Sequence, residues 1–237
     1  MVIFCIIYVI IGNKDILCKE KDLMRFVQKW SYSCARHVAA VLNENHNKRA
    51  VYYYGFYIIF GSLVKGTILI SLSLLLGVVV PALLTVLVLG SLRMFAGGFH
   101  FDTYGKCLFV TLVLVISAAL ISKYTYSYWS ITAIAIFLIL IFVVSLFMLI
   151  KYAPKDTPTK PITEPEAIKK YKRLSIAYLS ILLVISVVLA IFNLKMYVIA
   201  IGFGILLEIF TITPAGHSFF TSIKNGLNKK GSVRRSA

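Results

Sequence analysis

From residue 51 to residue 92 the chain carries almost nothing but apolar side chains. A single helix needs about 20 apolar residues to cross the roughly 30 Å hydrocarbon core of a bilayer, so this stretch is about right for two crossings. The break belongs at "GVVVP", Gly77 to Pro81, giving expected spans at 51–76 and 79–92. Further apolar stretches at 108–122, 125–150, 174–192 and 196–212 bring the total to six. Hydrophobic residues make up 59% of the 237 positions and charged residues only 14%, which excludes a soluble globular domain. The expectation is an all-α polytopic membrane protein. Its second and third spans are short enough to be partly re-entrant, which lipid tolerates only where protein or water satisfies the backbone.

The net charge of +16 is gathered into a few polar intervals. With six spans, one side receives nineteen basic residues: five from Arg25 to Arg49, then Arg93 and Lys106, seven from Lys151 to Arg173, and five from Lys224 to Arg235. The other side receives Lys123 and Lys195. The positive-inside rule therefore puts both termini, the segment 93–107 and the loop 151–173 on the cytoplasmic face of the membrane. Five or seven spans would split the basic segments, an independent argument for six. The basic face also points to anionic lipids as partners, and no nucleic-acid partner is expected.

Residues 1–23 begin with "MVIFCIIYVIIG", too short to span and lacking the basic start of a signal peptide, and continue into a charged, aperiodic stretch. They are expected to be an extension, with translation starting at Met24. Residues 24–48 form a basic amphipathic helix in which Phe26, Val27, Trp30, Cys34, Val38, Val41 and Leu42 recur at helical spacing, and it is expected to lie along the membrane surface. The membrane domain then occupies 49–213. In the loop 151–173, prolines at 154, 158, 161 and 165 favour extended chain until "EPEAIKKYKR" can begin a helix. That loop is either a stiff connector or a docking site for an acidic peptide. Residues 214–237 read as a basic tail, disordered from Asn225.

The segment "RMFAGGFHFDTYGKC", Arg93 to Cys107, is where chemistry is expected. On one unbroken helix, His100 and Cys107 would lie about 10.5 Å apart along the axis, too far for proton transfer over about 3 Å. Gly97 and Gly98 permit a bend, and Asp102 and Thr103 are good N-caps for a helix starting just before Cys107. At such a helix start, unpaired amides and the dipole favour a thiolate nucleophile. His100 would then be its general base, Asp102, Thr103 or a backbone carbonyl could orient the imidazole, and Arg93 and Lys106 would attract a carboxylate-rich substrate. The same residues also fit a simple packing turn, because a histidine and a cysteine seven apart arise by chance often. Cys5, Cys18 and Cys34 are isolated and read as small apolar side chains, so neither a metal site nor a cofactor is expected.

Arg93, Gly97, Gly98, His100 and Cys107 form an R-x(3)-GG-x-H-x(6)-C pattern inside a six-span basic chain with a proline-rich "APKDTPTKPI" loop. In this the chain resembles the accessory gene regulator B family of membrane cysteine endopeptidases, from Met24 to about Pro214. The resemblance implies a helical membrane fold, Cys107 as nucleophile and His100 as general base. Gly97 and Gly98 would shape the turn, and Arg93 would support the site or contact substrate. It implies as substrate a short quorum-sensing propeptide whose acidic C-terminal tail is removed, and it makes a homodimer worth testing. The chemistry of a thioester acyl-enzyme then allows a thiol or hydroxyl of the bound propeptide to close a thiolactone or lactone ring.

Two charges lie inside spans. Lys65 has to snorkel, line a wet cavity or find a partner, and Glu208 is expected to pair with Lys65 or a backbone amide. His217 follows Pro214 and is left outside the catalytic set. The competing function is a transporter or exporter of small amphipathic molecules, although no internal repeat of the kind many transporters carry is visible.

Overall fold

The computed structural model describes residues 14–99, 101, 104–155 and 164–233, with side chains from residue 25 to residue 225. Eight α-helices follow one another among these residues: α1 Lys14–Val41, α2 His46–Leu75, α3 Val79–Ala96, α4 Tyr104–Thr125, α5 Ile131–Tyr152, α6 Pro165–Ile191, α7 Lys195–Ile212 and α8 Pro214–Val233. No strand is present among the described residues. Six of these helices, α2 to α7, are long and apolar enough to cross a membrane.

The chain turns where local chemistry ends a helix. Gly77 takes a left-handed φ of +64° between α2 and α3, and Asn193 does the same at +58° between α6 and α7. Ser130 caps α5, its hydroxyl accepting from the Ala133 amide at 3.1 Å. Pro165 opens α6, where its missing N–H costs nothing, as the "EPEA" stretch led one to expect. The second and third spans are 18 and 22 residues long, about 27 and 33 Å at the α-helical rise. Both are among the helices long and apolar enough to cross.

Two sequence expectations are corrected at the ends. The first helix among the described residues runs from Lys14, ten residues before Met24, because Leu, Lys and Glu favour helix even without an apolar stripe. The stretch after Pro214 is helical through Val233, where disorder from Asn225 was expected. Its start is well built: Pro214 occupies the first turn, and the Thr213 hydroxyl accepts from the Gly216 amide at 3.1 Å.

The chain divides into two compact units, residues 1–75 with 102–113 and residues 76–101 with 114–237. In the first, α1 packs along α2 through Val27, Ser31, Ala35 and Ala39, a stripe of small residues one turn apart. Phe26 and Trp30 remain exposed on α1 with their rings 5.2 Å apart. The buried face is therefore the small-residue stripe, and the aromatic members of the sequence pattern stay outside it.

In the second unit, α7 is enclosed by α3, α5 and α6, and its Ile201, Ile205, Ile209 and Ile212 share a core with Val88, Leu92, Ile141, Leu149 and Leu179. Gly204 makes the α3 contact possible, since a Cβ there would sit 2.9 Å from the Thr85 carbonyl oxygen and from the Val88 Cβ. The Thr85 hydroxyl lies 3.2 Å from the Ala200 carbonyl and donates to it. Gly204→Val is expected to force the helices apart and cost about 1–3 kcal/mol, read as a lower melting temperature in detergent. Gly90→Ala, where a Cβ meets nothing within 4 Å, should leave the melting temperature within experimental error of the parent.

Candidate functional site

The segment that joins α3 to α4 leaves helix at Ala96 and re-enters it at Tyr104, so no unbroken helix carries the 93–107 motif. His100 and Asp102 lie outside the described residues. The remaining motif residues fall in the two units, which present two separate arrangements.

In the second unit Gly97 closes α3, its amide donating to the Arg93 carbonyl at 3.0 Å with φ +77°. Gly98 follows at φ +139°, and both angles suit glycine alone. Space demands glycine as well. A Cβ on Gly97 would collide with the Lys155 carbonyl, and one on Gly98 would lie 2.5 Å from the Thr211 hydroxyl. The chain leaving α5 runs beside this turn, the Lys155 amide donating to the Ala96 carbonyl at 2.8 Å. Thus the first residues of the proline-rich loop rest directly on the glycine pair.

Arg93 braces the turn from below. One guanidinium nitrogen donates to the Phe99 carbonyl, and the other lies 3.9 Å from a carboxylate oxygen of Glu208. Glu208 is fully buried on α7, and neither of its carboxylate oxygens has a hydrogen-bond partner among the described residues. The charge that faces Glu208 is therefore Arg93, where Lys65 or a backbone amide had been expected. Beyond Arg93, the Phe99 ring meets His217 edge-on at 5.2 Å and stacks on Phe220 at 5.5 Å.

Burial, with a smaller contribution from the positive charge of Lys155, pushes the His217 imidazole below its ordinary value. Its Nε2 is buried and has no hydrogen-bond partner among the described residues.

In the first unit Cys107 is the fourth residue of α4, within the turn whose amides lack helical acceptors, as expected from the sequence. It is partly buried. Lys65 of α2 reaches it, with Nζ 3.6 Å from Sγ and the ammonium donating. The same ammonium sits 5.1 Å from the centre of the Tyr104 ring. Tyr104 in turn donates its hydroxyl proton to the Gly61 carbonyl, and its ring covers the face of α2 that Gly61 leaves bare. Gly61 and Lys65 stand one turn apart on α2, and Tyr104 and Cys107 nearly one turn apart on α4. Helical spacing brings each pair onto one face. Lys106 is partly buried on the same turn of α4. The sequence flagged Lys65 only as a costly intramembrane charge. Its partner, 42 residues further along, gave no local signal.

Two predictions follow from the second unit. Because the His217 pKa is lowered in the folded state, the unfolded chain takes up the proton first as pH falls. Stability is then lost as pH drops from about 6.5 through the depressed folded value. His217→Gln should flatten the dependence of the detergent melting temperature on pH across that window. Arg93→Met, which strands the Glu208 carboxylate, should cost about 3 kcal/mol, whereas the double variant Arg93→Met/Glu208→Met should recover part of the loss in the same assay.

Comparison with known proteins places these features in a family. A family model described as accessory gene regulator B matches residues 31–212. A protein of Clostridium perfringens strain 13, provisionally named AgrB-like protein 2, is 26% identical over 211 residues, covering 86% of this chain and 99% of its own length. A provisionally named AgrB-like protein of Clostridium perfringens strain SM101 is 25% identical, with the same coverage of 86% and 99%. No solved structure matches the chain.

Proposed function

The chain belongs to the accessory gene regulator B family, multi-pass membrane proteins of a quorum-sensing system, and from that premise we propose that it is a cysteine endopeptidase that matures the signal propeptide. The observation that carries this reading is Cys107 in the first turn of α4, where the positive end of the helix dipole favours an anionic sulfur. The motif from Arg93 to Cys107 supplies the other groups.

The reaction is acyl transfer. Cys107 gives up its proton to His100, and the sulfur forms a bond to a propeptide carbonyl carbon. The C–N bond breaks as the imidazolium returns the proton to the departing amine, releasing the acidic C-terminal tail and leaving a thioester. A thiol or hydroxyl within the bound propeptide then attacks the thioester carbonyl, closing a thiolactone or lactone ring and restoring the Cys107 thiol. Exchange of one thioester for another runs at little free-energy cost, so ring closure to a thiolactone needs no ATP. Water has to be excluded while the acyl-enzyme stands. A cytoplasmic site at the membrane boundary suits that need and an amphipathic propeptide lying on the inner leaflet.

The turn has a defined part in this scheme. Arg93, Gly97 and Gly98 set the backbone that leads into His100, Asp102 orients the imidazole, and Lys106 with the other basic residues of the cytoplasmic face draws the acidic tail inward. The basic N-terminal segment 24–48 adds affinity for anionic lipids. A homodimer is the assembly proposed from the family resemblance.

Co-expression with a short propeptide from an adjacent reading frame tests the proposal. Native protein should shorten the propeptide by its acidic tail, read by mass spectrometry. Cys107→Ala and His100→Ala should each reduce processing by about a thousandfold or more in the same membranes. Equal processing by the variants would move the transporter reading to the front.

A further inference from the structure

Lys65 is a charged residue inside a transmembrane helix that neither the motif nor the proposed scheme uses. A lysine within an apolar span is costly unless it finds compensation, and its ammonium can act only as a donor. Here it reaches the Cys107 sulfur at 3.6 Å and the Tyr104 ring at 5.1 Å. A neutral thiol is a weak acceptor, whereas a thiolate is a strong one with a full opposite charge. The arrangement therefore gains most when Cys107 is ionised.

We propose that Lys65 is a catalytic residue of the same site: its ammonium, clamped beside the sulfur by the Tyr104–Gly61 contact, holds Cys107 as the reactive thiolate. This rests on the reading of Cys107 as the nucleophile. Lys65 keeps its three protons throughout. The thiol proton leaves to His100, the ammonium pairs with the sulfur anion that remains, and that pairing loosens as the S–C bond forms and the charge moves to the carbonyl oxygen. Two features aim cationic character at one atom: the amides of the first turn of α4 and the ammonium of α2.

The clamp explains why the lysine stays in register. Gly61 presents a bare helix face to the Tyr104 ring, and the Tyr104 hydroxyl is bonded to the Gly61 carbonyl, so the first turn of α4 is tied to α2 one turn before Lys65. A longer side chain at position 61 would push that turn away: a Cβ there already lies 2.9 Å from the Tyr104 ring.

The test uses the full chain in native membranes and measures alkylation of Cys107 itself, quantified on its peptide by mass spectrometry. Two reagents are compared, neutral iodoacetamide and anionic iodoacetate. Lys65→Met should slow alkylation by iodoacetamide about tenfold. It should slow iodoacetate further, because the local cation that attracts the anion is gone, and propeptide processing should fall in parallel. Lys65→Arg should restore much of both rates, a rescue that a packing role for the alkyl stem would not separate from Lys65→Met. Lys65→Gln serves as the neutral variant if Lys65→Met lowers the melting temperature. Unchanged Cys107 alkylation in both neutral variants would overturn the assignment while leaving Cys107→Ala inactive and the proposed function intact. Processing by Cys107→Ala would overturn that function, and the catalytic role of Lys65 with it.

Discussion

Backbone that leaves helical geometry between two membrane spans must find hydrogen-bond partners within the protein, and the described part of the turn after α3 makes three such bonds. The Arg93, Ala96 and Phe99 carbonyls accept from the Gly97 amide, the Lys155 amide and the Arg93 guanidinium. Glycine at 97 and 98 lets the chain of Lys155 and the side chains of α7 approach closely enough to make the arrangement. Arg93 then cannot be an isolated charge, and fully buried Glu208 on α7 stands against it. These contacts thus tie together the end of α3, the exit of α5 and a polar point on α7.

The same rule applies in the first unit with different chemistry. A lysine inside a span needs an electron-rich neighbour, and α4 offers a sulfur and an aromatic face in its first turn. In the proposed scheme the arrangement that lowers the cost of the charge also prepares the sulfur to react. This links the fold to the proposed acyl transfer, because a thiol does little in such a reaction until it is ionised.

The coarse fold was legible in the sequence because lipid imposes simple rules. Run length gave six spans, Gly77 marked the turn between the first two, and Pro165 marked the start of the helix after the long loop. The misses have physical causes. "KDILCKEKDLM" has good helix formers but no apolar stripe, so periodicity was blind to α1 before Met24. The helix α8 is rich in Gly, Ser and Lys, and composition hid the cap built by Thr213 and Pro214. For the site, the turn glycines and the position of Cys107 at a helix start were readable from local residues. The partners of Lys65 and Arg93 were not, since they lie 42 and 115 residues away along the chain and are chosen by tertiary packing.

The central claim is that the Cys107 sulfur carries the propeptide as a thioester, and acid-quenched intact-protein mass spectrometry of the purified chain mixed with propeptide tests it most directly. The account predicts an adduct whose added mass equals the propeptide less the released tail peptide. It should map to Cys107 and be released by neutral hydroxylamine. Release of the tail with no adduct on Cys107 at any time, or an adduct on another residue, would contradict it.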